Sequence, residues 1–556
     1  MDDNGDDGED DSSSSDEEVE MDPADEKRIM NLEKQLKTNP SVYDTHVQLI
    51  QVLRKCKLRE RLRQARQRMH DLFPFNENQW MDWINDEMAA ISSQDDIERI
   101  KALFQLAVQD YISVPIWESY LEFLKAVDPD VSARTAAGAE CFRQAAEAAL
   151  TAAGMHLAEG HHIWQLYRAF EQELLDAAGG SDEKQVERLR ALWHRQLQLP
   201  QPAAAELLAE YEAWEASSGK VGAAIEIDAG ASAVALLAGQ DACQQAAAAQ
   251  LRAAHEAAVG GDKAPDASLL AAYMAYIQLE KAQKDPARVQ LLFERALAVF
   301  PVTSDLWLQY TRYLEAELKV PALINKAYAR AVRNCPWVGG LWAAALRAME
   351  HTGAPDEEHA ALAERALAAG MQGPEDYLSV LLARADCLRH QLPTPADASS
   401  EAASKLRSWF ARARDTMAQY FADAVDRSLR LPGYWAHVEG LVLGDCAAMR
   451  AVWEETVKGP LGRYCETWLA WVTMERALRQ LGPARALFRR AYSRKYEEGG
   501  QVTLAYEWLK FEREEGRCGW CGVEAPRNCM KRVMHVLRVD SCKPAVCLVE
   551  LAKLFL

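Results

Sequence analysis

Bulky apolar residues recur along this chain at i, i+3 and i+6, often with Glu at i+7. The clearest copies start at Trp80-Trp83, Trp117-Tyr120, Trp164-Tyr167, Tyr273-Tyr276, Trp307-Tyr310 and Trp468-Trp471. Fainter copies carry Tyr43, Tyr211, Trp342, Tyr377, Trp435 and Trp508. That spacing puts all the bulky residues of one copy on a single helix face. First anchors fall at 43, 80, 117, 164, 208, 273, 307, 342, 377, 435, 468 and about 505, with most steps of 33–37 residues. A second phrase follows each first one, as in ARVQLLFERAL (287–297), ARALFRRAY (484–492) and RLRALWHRQL (188–197). Pro74, Pro200, Pro301, Pro336 and Pro460 close units, because Pro lacks an N–H and clashes with the preceding turn.

The pattern predicts an all-α solenoid of about 11–12 helical hairpins, each an antiparallel helix pair. One hairpin cannot hide its aromatic face, so the units must stack. The aromatic stripe therefore reads as core, since single-stranded nucleic acid would need these rings on an exposed basic face. The expected organisation is an acidic tail (1–26), a first array (27–215), an Ala/Gly/Ser-rich joint (216–265), a second array (266–515) and a Cys-containing helical segment (516–556). The joint is expected to hold one drifted second helix, and residues 391–403 to form a loop.

Charge adds little to the fold but bounds the function. Of the net charge of −20, residues 1–26 supply 14 acidic side chains and no basic one. The rest is only slightly acidic, so a basic nucleic-acid binder is excluded and weak RNA binding is expected from the array. Residues 1–20 cannot bury enough apolar surface to offset their chain entropy. Ser14 and Ser15 precede Asp16, Glu17 and Glu18, a setting that suits an acid-directed kinase. No apolar run approaches 18 residues, so no membrane span is expected.

Candidate chemistry is sparse. The chain lacks G-x-x-x-x-G-K-[ST], G-x-G-x-x-G, H-E-x-x-H and G-x-S-x-G phrases. His161-His162 reads as a polar helix start. Cys518 and Cys521 form one C-x-x-C, but Cys529, Cys542 and Cys547 follow irregularly, whereas structural zinc wants two close pairs. The expectation is no catalytic centre, no metal and no cofactor.

The phrase W-x-x-Y/W-x-x-F-E followed by R-x-x-F-E-R-A resembles the half-a-tetratricopeptide (HAT) repeat of RNA-processing factors. LFPFNENQWMDWINDE (72–87), VQDYISVPIWESYLEF (108–123), DPARVQLLFERAL (285–297) and AVRNCPWVGGLW (331–342) resemble the U4/U6 small nuclear ribonucleoprotein recycling factors within that class. The resemblance implies a nuclear, non-enzymatic scaffold of pre-mRNA splicing that binds spliceosomal proteins. It further implies homodimerisation through the second array and docking of a ubiquitin-specific protease. The family holds RNA through RNA recognition motifs, and no phrase of that motif occurs here. U4/U6 snRNA is therefore expected to be reached only indirectly. The alternatives are a HAT subunit of pre-mRNA 3′-end cleavage or rRNA processing, and an enzyme with a helical regulatory array.

Overall fold

The computed structural model describes residues 22–179, 182–199, 204–217, 242–261, 264–422, 426–496 and 500–515. Every regular element among them is a helix. Two compact units result, one running to Cys335 and the other starting at Pro336.

The first unit contains α1 (Pro23–Thr38), α2 (Tyr43–Lys55), α3 (Arg59–Leu72), α4 (Glu77–Met88), α5 (Gln94–Asp110) and α6 (Val114–Val127). After the single turn α7 (Pro129–Ser132) come α8 (Ala136–Ala153), α9 (Gly160–Ala177), α10 (Glu183–Leu197) and α11 (Ala204–Ser217). The unit continues with α12 (Ala242–Val259), α13 (Ala267–Gln283), α14 (Pro286–Val299), α15 (Ser304–Tyr313) and α16 (Pro321–Asn334). The second unit holds α17 (Gly339–His351), α18 (Asp356–Ala368), α19 (Pro374–His390), α20 (Glu401–Tyr420) and α21 (Arg430–His437). It ends with α22 (Cys446–Lys458), α23 (Cys465–Ala477), α24 (Leu481–Tyr492) and α25 (Gly500–Glu515).

Within each unit the first helix (A) carries the aromatic anchors and the second (B) carries the R-x-x-F-E-R-A phrase. Thus α4, α6, α9, α13, α15, α17 and α23 are A helices, paired with α5, α8, α10, α14, α16, α18 and α24. Each A helix packs on its B helix. Helices α6 and α9, α17 and α19, and α23 and α25 also pack A on A within their units. A buried Trp removes about 150–250 Å² from water, roughly 4–6 kcal/mol of gross stabilisation before entropy.

Local chemistry sets the boundaries. Asn76 with Gln79, and Ser93 with Asp96, form reciprocal capping boxes at the starts of α4 and α5. Asp285 caps α14, with Pro286 in the first turn, where its missing N–H costs nothing. Helices α3, α14 and α16 stop at Leu72, Val299 and Asn334, each two residues before Pro74, Pro301 and Pro336. Two A helices end in a π turn, Leu314–Leu318 after α15 and Val438–Val442 after α21.

Some expected boundaries move. Helix α1 starts at Pro23, capped by Asp22, so the last residues of the 1–26 acidic segment are helical. Asp25 and Glu26 sit in its first turn, where the helix dipole favours negative charge. The 216–265 joint contains the 18-residue helix α12. The 391–403 loop ends at Ser400, whose hydroxyl accepts from Ala403 N and starts α20. Residues 1–21 with Ser14 and Ser15, Pro200, and the segment 516–556 with its five Cys lie outside the described residues.

Candidate docking surface

The anchors lie in the core. Trp80, Trp83, Trp117, Tyr120, Trp164, Tyr167 and Tyr211 are buried, as are Tyr273, Tyr276, Trp307, Tyr310, Trp342, Trp468 and Trp471. Trp435 is only partly buried. The rings pack on bulky residues of the B helices. Phe142 stacks on Phe170 at 3.9 Å, Phe293 meets Tyr310 at 5.1 Å, and Phe410 stacks on Trp435 at 5.6 Å.

Several anchors also have a polar duty that periodicity does not reveal. Trp307 Nε1 donates to the carbonyl of Pro301 (2.7 Å), Trp342 Nε1 to Pro336 (2.9 Å) and Trp468 Nε1 to Gly462 (3.1 Å). The acceptor lies six residues upstream each time. His46 makes the same contact with the Pro40 carbonyl (2.8 Å). A ring buried for its apolar area thereby satisfies the carbonyl of the loop that delivers its helix.

The charged positions of R-x-x-F-E-R-A form two ladders. The first Arg pairs with the Glu at i+7 of the following A helix. Arg143 Nε lies 2.7 Å from Glu171, Arg252 2.6 Å from Glu280, Arg450 2.7 Å from Glu475 and Arg485 3.1 Å from Glu512. Glu171 and Glu280 are fully buried and Glu475 nearly so. These hydrogen bonds raise the pKa of Arg143, Arg252 and Arg450 against the opposing effect of burial.

The second ladder joins B helices. The Glu of the phrase accepts from the second Arg of the next phrase: Glu256 from Arg295 (2.7 Å) and Glu294 from Arg330 (2.7 Å), with Glu454 paired to Arg490. Two of these arginines, and Arg195, which pairs with Glu147 at 2.7 Å, cover anchors of their own unit. Arg330 lies 5.4 Å from the Trp307 ring, Arg490 5.2 Å from Trp468 and Arg195 5.4 Å from Trp164. Much of the array's arginine is thus committed to internal pairs.

What remains for partners is surface, and it includes an apolar hollow. A cavity of about 350 Å³ opens in the second unit, floored by Leu378, Leu431, Val452 and Trp435. Met417 and Phe421 line its wall, and the Arg414–Glu455 ion pair (2.7 Å) stands at its rim. Trp435, an anchor that is not fully buried, lines this hollow.

Other candidate chemistry disperses. His161 and His162 stack edge to face at the start of α9, and His162 Nδ1 pairs with Glu118 (2.6 Å). Among the described residues no group of His, Cys, Asp and Glu is placed to hold a metal ion, and no helix is long and apolar enough to cross a membrane. Cys335 and Cys387 are buried, and burial pushes both thiols up to about 12, away from nucleophilic character.

The geometry sits alongside clear sequence kinship. The chain is 34% identical over 453 residues to the mouse protein "Spliceosome associated factor 3, U4/U6 recycling protein", covering 81% of this chain and 44% of that protein. The zebrafish protein of that name is 33% identical over 517 residues, covering 88% of this chain and 50% of its own length. A weaker match is the fission yeast "mRNA 3′-end-processing protein rna14", 22% identical over 196 residues, 34% of this chain and 26% of that protein. The chain thus spans about half the length of the spliceosomal relatives it matches. Residues 27–495 match the Suppressor of forked protein (Suf) family, and the chain belongs to that family.

Proposed function

We propose that this chain is a non-enzymatic scaffold of nuclear pre-mRNA processing, acting in U4/U6 recycling as its relatives are named to do. The observation that carries the reading is the 34% identity sustained over 453 residues. The stacked repeats support it, because they offer a long surface of side chains for protein partners. The partners are spliceosomal snRNP proteins, with a ubiquitin-specific protease as a further occupant. Homodimerisation runs through the second array, residues 266–515.

RNA is reached indirectly in this reading. Strong phosphate binding needs free basic side chains and shows a steep salt dependence. Here arginines such as Arg143, Arg252 and Arg330 are spent on internal carboxylates. Purified chain should bind U6 RNA weakly at physiological salt; sub-micromolar affinity would overturn this part.

The main test is affinity purification of the tagged chain from nuclear extract, with mass spectrometry of what accompanies it. Enrichment of U4/U6 proteins supports the reading. Enrichment of cleavage and polyadenylation factors would support the second reading, a 3′-end-processing subunit, which the rna14 match favours over 196 residues.

A further inference from the structure

In a stacked array each repeat touches its neighbours, and contacts between distant repeats need a separate cause. The first unit contains one. Asp110 ends α5, and its carboxylate is almost wholly buried. Oδ2 accepts from Phe75 N (3.0 Å) and Trp80 Nε1 (3.0 Å), and meets His70 Nε2 at 3.1 Å. The other oxygen, Oδ1, accepts from Arg333 Nη1 (3.0 Å), 223 residues away at the end of α16. Arg333 Nη2 donates to the backbone carbonyl of His70 (2.6 Å), and the Tyr111 hydroxyl donates to Asn334 Oδ1. Arg330 lies over the Tyr111 ring at 5.8 Å.

This meeting is unlike the packing between neighbouring helices. It is polar, and its central Arg333 side chain keeps 24% of its exposure. Beside it, Arg330 is buried with Nε and Nη2 lacking hydrogen-bond partners. Nearby, a cavity of about 250 Å³ separates Phe75, Tyr111 and Ile116 from Ala298 and Val299 of α14. Permanent cores are close-packed and satisfy their polar groups. A hydrogen-bonded contact beside a void, with its central arginine partly exposed, resembles an interface that forms and parts.

We propose that Arg333 and Asn334 form a releasable latch, which closes the end of α16 onto Asp110 and Tyr111 of the first array and gives the first unit a closed and an open arrangement. The receiving side is built to survive release. With Arg333 gone, Asp110 keeps the Phe75 amide, the Trp80 indole and His70, so α3–α5 stay folded. On the other side, α16 keeps its neighbour contacts through Arg330–Glu294. The latch therefore governs arrangement without being required for the repeats themselves.

Hydrogen exchange on the full chain tests this, comparing wild type with Arg333→Ala/Asn334→Ala and with Arg333→Lys. The double variant should speed exchange of the last-turn amides of α16 by roughly tenfold or more, the effect of losing charge-assisted hydrogen bonds, while Phe75, still held by Asp110, stays protected. Amides of α9, α14 and α15 should remain protected. Arg333→Lys, which keeps the charge but not the fork, should fall between. Unchanged exchange at the end of α16 would overturn the proposal, because the contact would then hold nothing. A uniform loss of protection across the first unit would overturn it too, because the contact would then belong to an indivisible core.

Discussion

Trp307 Nε1 lies 2.7 Å from the carbonyl of Pro301, the residue that blocks continuation of the preceding helix. One residue thus stops helix B, and another, six positions on, pins the resulting turn under helix A. Trp342 repeats the relation with Pro336 at 2.9 Å. Trp80 keeps the spacing to Pro74 but turns its indole to Asp110 instead.

The first prediction separates the polar and apolar duties of this anchor. Trp307→Phe keeps most of the ring area and leaves the Pro301 carbonyl only the weak Cys335 thiol at 3.9 Å, at a cost of about 1–3 kcal/mol. Trp307→Ala adds a cavity and should cost about 3–5 kcal/mol. Urea unfolding followed by circular dichroism measures both; equal losses would show that the indole N–H contributes nothing.

The Arg–Glu ladder predicts asymmetric damage. Glu280 is fully buried, and its carboxylate holds Arg252 at 2.6 and 3.1 Å. Glu280→Ala leaves the guanidinium without its partner and should cost about 3–5 kcal/mol, whereas replacing both residues by apolar ones of similar volume should cost far less. A double-mutant cycle on Arg252 and Glu280 reads the difference, and simple additivity of the two losses would contradict it.

Acid should act through His156. Burial, and then the positive charge of Arg295, push its imidazole pKa down to about 3. The ring stays neutral in the fold, whereas in the unfolded chain it takes a proton near pH 6.5. Its contribution is fully present above pH 6.5 and is lost as pH falls from there toward about 3. His156→Gln should therefore flatten the decline in stability between pH 6.5 and 4. An unchanged slope would remove His156 as a cause of acid sensitivity.

Gly339 should tolerate no side chain. Its N–H donates to Asp376 Oδ1 (2.8 Å), and a Cβ there would lie 2.2 Å from the Asp376 carbonyl oxygen. The neighbour is backbone and cannot swing aside, so Gly339→Ala should cost about 3 kcal/mol. Gly340→Ala, where a Cβ meets nothing within 4 Å, is the control and should leave the melting temperature almost unchanged.

The hollow at Trp435 predicts a separation of binding from folding. Ala418 is exposed at its lip. Ala418→Arg should leave thermal stability within about 0.5 kcal/mol of wild type, as for other surface changes, while lowering recovery of protein partners. Recovery equal to wild type would place docking elsewhere.

The solenoid is legible in the sequence because aromatic spacing of three residues repeats over a dozen copies, and each ring carries a large share of its unit's core. The ladders are legible in part. The letters R, E and R of the second phrase stand at fixed places, but their partners lie 25–39 residues away, and only stacked coordinates pair Arg252 with Glu280 or Arg295 with Glu256. The Asp110–Arg333 contact leaves no sequence signal at all, since it joins residues 223 apart that occur in no common phrase. Helix α12 lies in the 216–265 joint, where one drifted second helix is expected, but its composition leaves its place and phase unmarked. An Ala-rich stretch lacks the bulky anchor by which other helices announce themselves, and Arg252 and Glu256 are its surviving marks.

Because the first arginine of a phrase is answered by the helix that follows, and the second by the helix before, the array has a direction like a zipper with unlike teeth. A gene rearrangement that excises whole periods within one unit, cut at any phase, returns every tooth to a complementary one. An excision of a broken period brings arginine against arginine at the seam. Whole periods can therefore be gained or lost within a unit with every pair kept, whereas a fractional period parts the arginines from their carboxylates at the seam.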